Sequence, residues 1–500
     1  MHRKLLSVAF TVLVASLLAS PTATAQRPNP FDRLTDSLNE AQERMQAMRE
    51  RMEADREKML RGLPRSAGFP GSTRLGSDRQ PNQDSQSQTQ AGGLQIPVAP
   101  IQHANGETLR VRGEDGEPVV GRLHVSAGDT HVVLMPDGML KTFPKAQTEP
   151  SDQPFVPMDM DAIEAKLLKD PKLRGFKTIR SRRFLYVYNS SELFIRSSRT
   201  ILESMYPAVK KYFQRSSVDV QEPELPLVVI AFANDDQFQE YRRMPSGVVA
   251  YYDGVSNAVL IYEKSNLSQH APEIAIKNAI STIAHEGAHQ ILHNIGVQQR
   301  LSRWPMWLSE GLAEFYAPTS VQKGVRWSGL GSPNELRMFE ISNDWKKNAN
   351  FGNGQRVQRI TAADQLDSLD YAYAWGLIHM LSRRHQKELF ACIAQCSKMR
   401  PLEGTEASAP IESASEVFAK HFGNQFVATE QELHKHLMSL KYSDPVANQT
   451  HYLVIAGSSV TLTSSPERVK ELQRRSIGRV SVRQFRNLAL AEQAMKSLTQ

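Results

Sequence analysis

The chain has 500 residues, 40% of them hydrophobic, and a formal net charge of +7. That is length enough for at least one large buried core, and it suggests roughly two to four units. The mild positive charge, with no long block of like charges, argues against nucleic acid as a partner and is compatible with adhesion to an anionic envelope.

The first residues read Met1-His2-Arg3-Lys4, then an apolar run from Leu5 to Ala19, then Ala23-Thr24-Ala25 before Gln26. A basic head, a short apolar stretch and small residues at the cleavage positions predict a secretory signal peptide over residues 1–25. Loss of Arg3 and Lys4 with it lowers the net charge to +5. No later stretch approaches the roughly 20 apolar residues of a transmembrane helix, and no cysteine follows the leader to carry a lipid. The expectation is an exported protein, periplasmic or extracellular, with no transmembrane anchor.

Within residues 26–63, positions 34, 38, 41, 45, 48, 52, 55 and 59 alternate spacings of four and three and are mostly apolar. This heptad seam predicts a helix that self-associates as a coiled coil or stands alone as a solvated helix. Residues 64–93 are dense in Ser, Gln, Gly, Pro and Asp, the composition of a flexible linker. Residues 94–150 hold short β-type runs, among them Leu109–Val111, Val119–Val120, Arg122–Val125 and His131–Met135, separated by Gly and Asp turns. A small antiparallel β-barrel-like module, acting as a spacer or a binding unit, fits that pattern.

The main domain is expected over residues 158–440. Phe184–Tyr188, Leu227–Phe232 and Ala258–Tyr262 read as strands, with an amphipathic helix over Glu192–Phe213 and mostly helices after Pro272. Strands followed by helices indicate α+β rather than a parallel doubly wound sheet. Residues 445–500 read as a small α/β appendage. Cys392 and Cys396 are the two cysteines, one turn apart if helical, which leaves open a local disulfide or two buried thiols.

The chemistry lies in the helix opened by Pro272, whose end is marked by Gly296. His285-Glu286-Gly287-Ala288-His289 places two histidines on one face, able to reach one Zn²⁺, with Glu286 beside them to handle a water. About twenty residues beyond His289, after Pro305, comes Trp307-Leu308-Ser309-Glu310-Gly311-Leu312-Ala313-Glu314-Phe315. Hydrolytic zinc needs three protein donors and an open position, and Glu310 completes a His, His, Glu set.

HExxH followed by WLSEGLAEF resembles the gluzincin zinc metallopeptidases, especially the peptidase MA-like group, and within it bacterial domains of uncharacterised function with HExxHQ and P-x-WLSEGLAE. The resemblance spans roughly residues 175–440. It implies a thermolysin-like α+β fold, His285, His289 and Glu310 as zinc ligands, and Glu286 as general base and proton donor. Glu314 becomes the carboxylate that supports a ligating histidine from behind, unless it faces solvent or is itself the ligand. Tyr371, Tyr373 or His379 could face the metal as oxyanion donor, or serve in packing. His293 approaches the site or is a surface histidine at the helix end. By analogy Ala258–Tyr262 would be the strand edge that pairs with an extended peptide or protein substrate. The alternative is a non-catalytic secreted zinc-binding scaffold or envelope interaction protein. Substrate preference depends on cleft walls and loops such as residues 326–358, which have no interpretable signature. The segment before residue 158 is a candidate pro-region, though it has no cysteine for a thiolate switch.

Overall fold

A computed structural model describes residues 88–499 except 92–93, 217, 245–247, 265–271, 321–324, 348–350, 405–411, 445–449, 458, 477 and 487. The expected signal peptide and heptad helix, and the linker up to residue 87, lie outside the described residues. The last linker residues do not continue as linker: Gln88–Ala91 (β1) pairs antiparallel with Leu94–Pro97 (β2). Pairing of this kind is made by the backbone, so a polar composition does not preclude it.

Next come β3 (Ile101–His103), β4 (Thr108–Arg112), β5 (Pro118–Ala127), β6 (Thr130–Leu134), β7 (Leu140–Pro144) and β8 (Glu149–Ser151). They form an antiparallel sheet in the order β7-β6-β5-β4-β8, with β3 also on β5. It is open, so the expected barrel does not close. The two runs expected around Val119 and Leu123 are one strand, β5, whose register shifts between Leu123 and Val125; such an irregularity bends a strand without ending it.

The main domain begins with α1 (Met160–Lys169), β9 (Lys177–Arg180), β10 (Phe184–Tyr188), α2 (Glu192–Phe213), β11 (Leu227–Asn234), α3 (Asp235–Tyr241), β12 (Ala250–Asp253) and β13 (Ala258–Lys264). The sheet order is β12-β13-β11-β10-β9. β10, β11 and β13 are parallel, and the two edges are antiparallel. The parallel centre follows from α2, a 22-residue crossover capped by Ser191 and long enough to return the chain to the same end of the sheet. Both faces are covered: Tyr186, Val229 and Ile261 point to one core, and Val187, Ile230 and Leu260 to another. Continuous apolar runs such as Phe184–Tyr188 are what a sheet buried on both faces requires.

Helices follow: α4 (Pro272–Asn294), α5 (Met306–Tyr316), the strand pair β14 (Thr319–Ser320) and β15 (Arg326–Trp327), then α6 (Glu335–Lys347), α7 (Gln355–Ala362), α8 (Ser368–Arg384), α9 (Gln386–Cys396), α10 (Ala414–Phe422) and α11 (Phe426–Met438). Residues 326–358, read as loops from the sequence, thus contain α6 and the start of α7. α4, α5 and α8 share one core with α2 and one face of the sheet. Cys392 and Cys396 are buried free thiols on α9. The C-terminal unit is a three-stranded antiparallel sheet of β16 (His451–Ala456), β17 (Ser459–Thr463) and β18 (Val480–Phe485), with α12 (Pro466–Arg475) and α13 (Leu488–Thr499). The whole is a mixed α and β structure, and no helix among the described residues is long and apolar enough to cross a membrane.

The β module is packed onto the main domain rather than held at a distance. Leu140 N donates to Val255 O at 2.9 Å, Arg300 Nη1 donates to Gly138 O at 2.7 Å, and His124 Nε2 hydrogen-bonds Arg300 O at 2.9 Å. Val255 and Leu402 join Val125, Val132 and Leu140 in one apolar cluster.

Candidate metal centre

α4 and α5 bring the three expected donors together. His285 and His289 lie four residues apart on α4, so their side chains leave from one face. Gly287 between them faces α2, where a Cβ would collide with Leu202; a residue without a side chain lets the two helices meet there. Gly296, at φ +83°, ends the turn after α4, and Pro305 caps α5, which carries Glu310. α5 in turn is seated on α8 through Gly311, whose missing Cβ leaves room for Ala374 and Ile378.

Glu310 Oε2 lies 3.1 Å from His285 Nε2 and 3.3 Å from His289 Nε2, and the two nitrogens are 3.3 Å apart. Among the described residues this is the cluster of three such side chains able to close on one metal ion. Tetrahedral zinc at its usual bond lengths of 2.0 to 2.1 Å separates neighbouring donors by about 3.3 to 3.4 Å. The triangle therefore has the size of one face of that tetrahedron, and the donor set fits zinc.

Burial disfavours charge on Glu310, but the neighbouring imidazoles of His289 and His285 outweigh it and hold its carboxyl well below the usual range. Burial also opposes charge on His285, and there the carboxylates of Glu310 and Glu314 win, raising it well above an ordinary histidine. Glu286 is pushed up, chiefly by burial, against the pull of His285 and His289. Its Oε2 accepts a 2.7 Å hydrogen bond from Tyr252 N–H. Tyr252 is on β12, the edge strand, and β13 is interior. The expectation that Ala258–Tyr262 is an edge strand is therefore corrected: on that side the sheet ends in Ala250–Asp253, whose Tyr251-Tyr252 is too short a run among turn signals to read as a strand.

Glu314 is neither solvent-facing nor one of the converging donors. It is 4% exposed, with Oε1 3.2 Å from His285 Nδ1 and Oε2 accepting from Asn334 Nδ2 at 3.0 Å. Oε1 also accepts from Arg337 Nη2. Burial would raise its pKa, but Arg337 and His285 bring it down to about 2. Neither Arg337 nor Asn334 was singled out from the sequence, where both sit in a stretch without motif.

Of the three tyrosine and histidine candidates, one stands at the centre. The Tyr371 ring is 6.1 Å from that of His285, and burial, then the charges of Glu310, Glu286 and Glu314, raise its pKa far above 10, keeping the phenol a donor. Tyr373 points elsewhere: its hydroxyl donates to Asp344 Oδ2 at 2.7 Å and its ring stacks on Phe351. His379 is turned away as well, with Nε2 donating to Gly331 O at 3.0 Å and Nδ1 2.8 Å from His436 Nε2. Residues two apart on a helix diverge, so Tyr371 and Tyr373 could not both face one point. His293 stacks on Tyr252 with centroids 5.2 Å apart. It lines a separate cavity of about 600 Å³ between the β module and the end of α4, with Arg122, His124 and Arg300.

Residues 279–403 match a family profile described as a protein of unknown function (DUF1570). The matched stretch contains every donor of the centre together with Glu286, Glu314, Arg337 and Tyr371, and it stops short of the β module and the C-terminal unit. No curated protein matches the chain.

Proposed function

We propose that this chain is an exported zinc metallopeptidase of gluzincin type, with a thermolysin-like arrangement of edge strand and helices around its metal. The observation that carries the reading is the triangle of His285, His289 and Glu310 donor atoms with sides of 3.1 to 3.3 Å, beside a half-buried carboxylate, Glu286, that is not one of the three. A purely structural zinc would use four closed ligands and no neighbouring base.

Zinc held by His285, His289 and Glu310 would supply Lewis acidity toward a water and a carbonyl oxygen. Glu286 takes a proton from the attacking water and passes it to the leaving amine. The raised pKa of Glu286 suits a group that must both accept and return a proton, and Tyr252 N–H holds one of its two oxygens. Tyr371 donates from its phenol to the developing oxyanion. An extended peptide substrate lies along β12, the free antiparallel edge. The leader-like residues 1–25 are the basis for proposing export.

The test is metal content and peptide-library hydrolysis by the purified chain lacking residues 1–25. About one zinc per chain is expected. Glu286→Gln should retain zinc and lose hydrolysis, whereas His289→Ala should lose both. A fully active Glu286→Gln protein would overturn the mechanism. Firm zinc binding with no cleavage across a broad library would support the scaffold alternative instead.

A further inference from the structure

Residues 326–358 contribute a buried arginine to the back of the metal centre. Arg337, on α6, is 6% exposed. Its Nη2 donates to Glu314 Oε1, and its Nη1 donates to Glu340 Oε2 at 3.0 Å. Glu340 is anchored in turn by the Ser368 hydroxyl on α8, at 3.0 Å. The guanidinium also lies over the Tyr371 ring, 5.6 Å from its centroid.

A buried carboxylate facing only His285 would be free to turn about its last bond, and burial would favour its protonated form. Arg337 on one oxygen and Asn334 on the other remove that freedom. Oε1 is thereby left 3.2 Å from His285 Nδ1, the ring nitrogen opposite the Nε2 that lies 3.1 Å from Glu310. Partners of this kind, behind a metal-ligating histidine, set both its orientation and its basicity. The arginine's planar fork meets Glu314 and Glu340 together, which the single ammonium of a lysine does not reproduce.

We propose that Arg337 is a positioning residue for metal binding, acting on His285 through Glu314. This rests on the zinc reading above. An arginine present only to neutralise two buried carboxylates would be replaceable by lysine without consequence for the metal.

The experiment is a zinc competition titration against a chromophoric chelator. It uses the chain without residues 1–25, as wild type, Arg337→Lys, Glu314→Gln, the double variant and Glu310→Ala. Folding of each metal-free protein is checked by circular dichroism and its melting temperature. Arg337→Lys keeps the buried positive charge, so it does not strand the two carboxylates. Arg337→Lys and Glu314→Gln are each expected to weaken zinc binding about tenfold to a hundredfold. The double variant should be no weaker than Glu314→Gln by more than about twofold, because both changes break one path. Wild-type affinity in folded Arg337→Lys, or losses that multiply in the double variant, would overturn the proposal. If wild type and Glu310→Ala both fail to bind zinc, the metal reading itself fails, a result distinct from either.

Discussion

Gly311→Ala sets two effects against each other at the seam between α5 and α8. A Cβ at Gly311 would lie 2.8 Å from the Ala374 carbonyl oxygen and 2.7 Å from Ile378 Cγ1. Ile378 can rotate, but the Ala374 carbonyl is part of a helix backbone and cannot. Reaching an ordinary contact of about 3.4 Å means parting the helices by about 0.6 Å. Overpacking of this kind costs about 1–3 kcal/mol, and the helix propensity of alanine returns about 1 kcal/mol. The net expectation is a loss of about 1 kcal/mol, up to 2. Gly376, on α8, is the control: a Cβ there meets Leu437 Cδ1 at 3.1 Å, the movable end of a side chain, so Gly376→Ala should be neutral or stabilising by up to about 1 kcal/mol. Urea unfolding measures both. Because α5 carries Glu310, Gly311→Ala should also weaken zinc binding while Gly376→Ala leaves it unchanged. The reasoning is refuted if Gly311→Ala is as stable as Gly376→Ala and binds zinc like wild type.

Tyr371→Phe should lower kcat by about 10²–10³ with zinc content intact, while Tyr373→Phe, whose hydroxyl is held by Asp344, should leave kcat near wild type; equal losses in steady-state assays would remove Tyr371 from the oxyanion role. The His379–His436 pair predicts acid sensitivity. Burial, then the neighbouring His379, lowers His436 to about 4, and burial also lowers His379. The folded state thus favours neutral rings, and their contribution is complete above the unfolded value of about 6.5 and lost as pH falls from there toward 4. The urea midpoint should decline across that window, and His436→Gln should flatten the decline; an unchanged slope would contradict it. Leu140→Ala, at a residue 1% exposed in the cluster shared with Val255 and Leu402, should cost about 2–5 kcal/mol and lower the melting of module and main domain together. Two separate transitions in calorimetry would show that the module is independent.

Periodicity made much of the fold legible. Glu192–Phe213 is read from its amphipathic pattern, Pro272–Asn294 from its opening proline, its apolar face and the Gly296 beyond it, and Phe184–Tyr188 from its unbroken apolar run. Less legible was whatever depends on pairing. β12 has four residues and no alternation, and only its register against β13 makes it the edge. That the β module stays open rather than closing into a barrel is likewise a matter of which strands pair, and no residue pattern announces it. Local spacing placed His285, Glu286 and His289 on one turn, and the acidic helix after Pro305 suggested Glu310 across a 20-residue gap. Arg337 was invisible because a buried arginine in an amphipathic helix looks, in sequence, like any exposed one.

By itself the sequence determined the residues that must act within a turn or two of helix, since 3.6 residues per turn sets which side chains share a face. It thereby gave the two histidines, the base between them and the supply of carboxylates. Tertiary structure decided which carboxylate joins the histidines and which stands behind them, and that only Tyr371 of three candidates looks inward. It also decided that Arg337 closes the back of the centre. Those choices depend on how α4, α5, α6 and α8 cross, and the crossings are set by side-chain volumes at contacts such as Gly311 against Ala374, far apart in the chain.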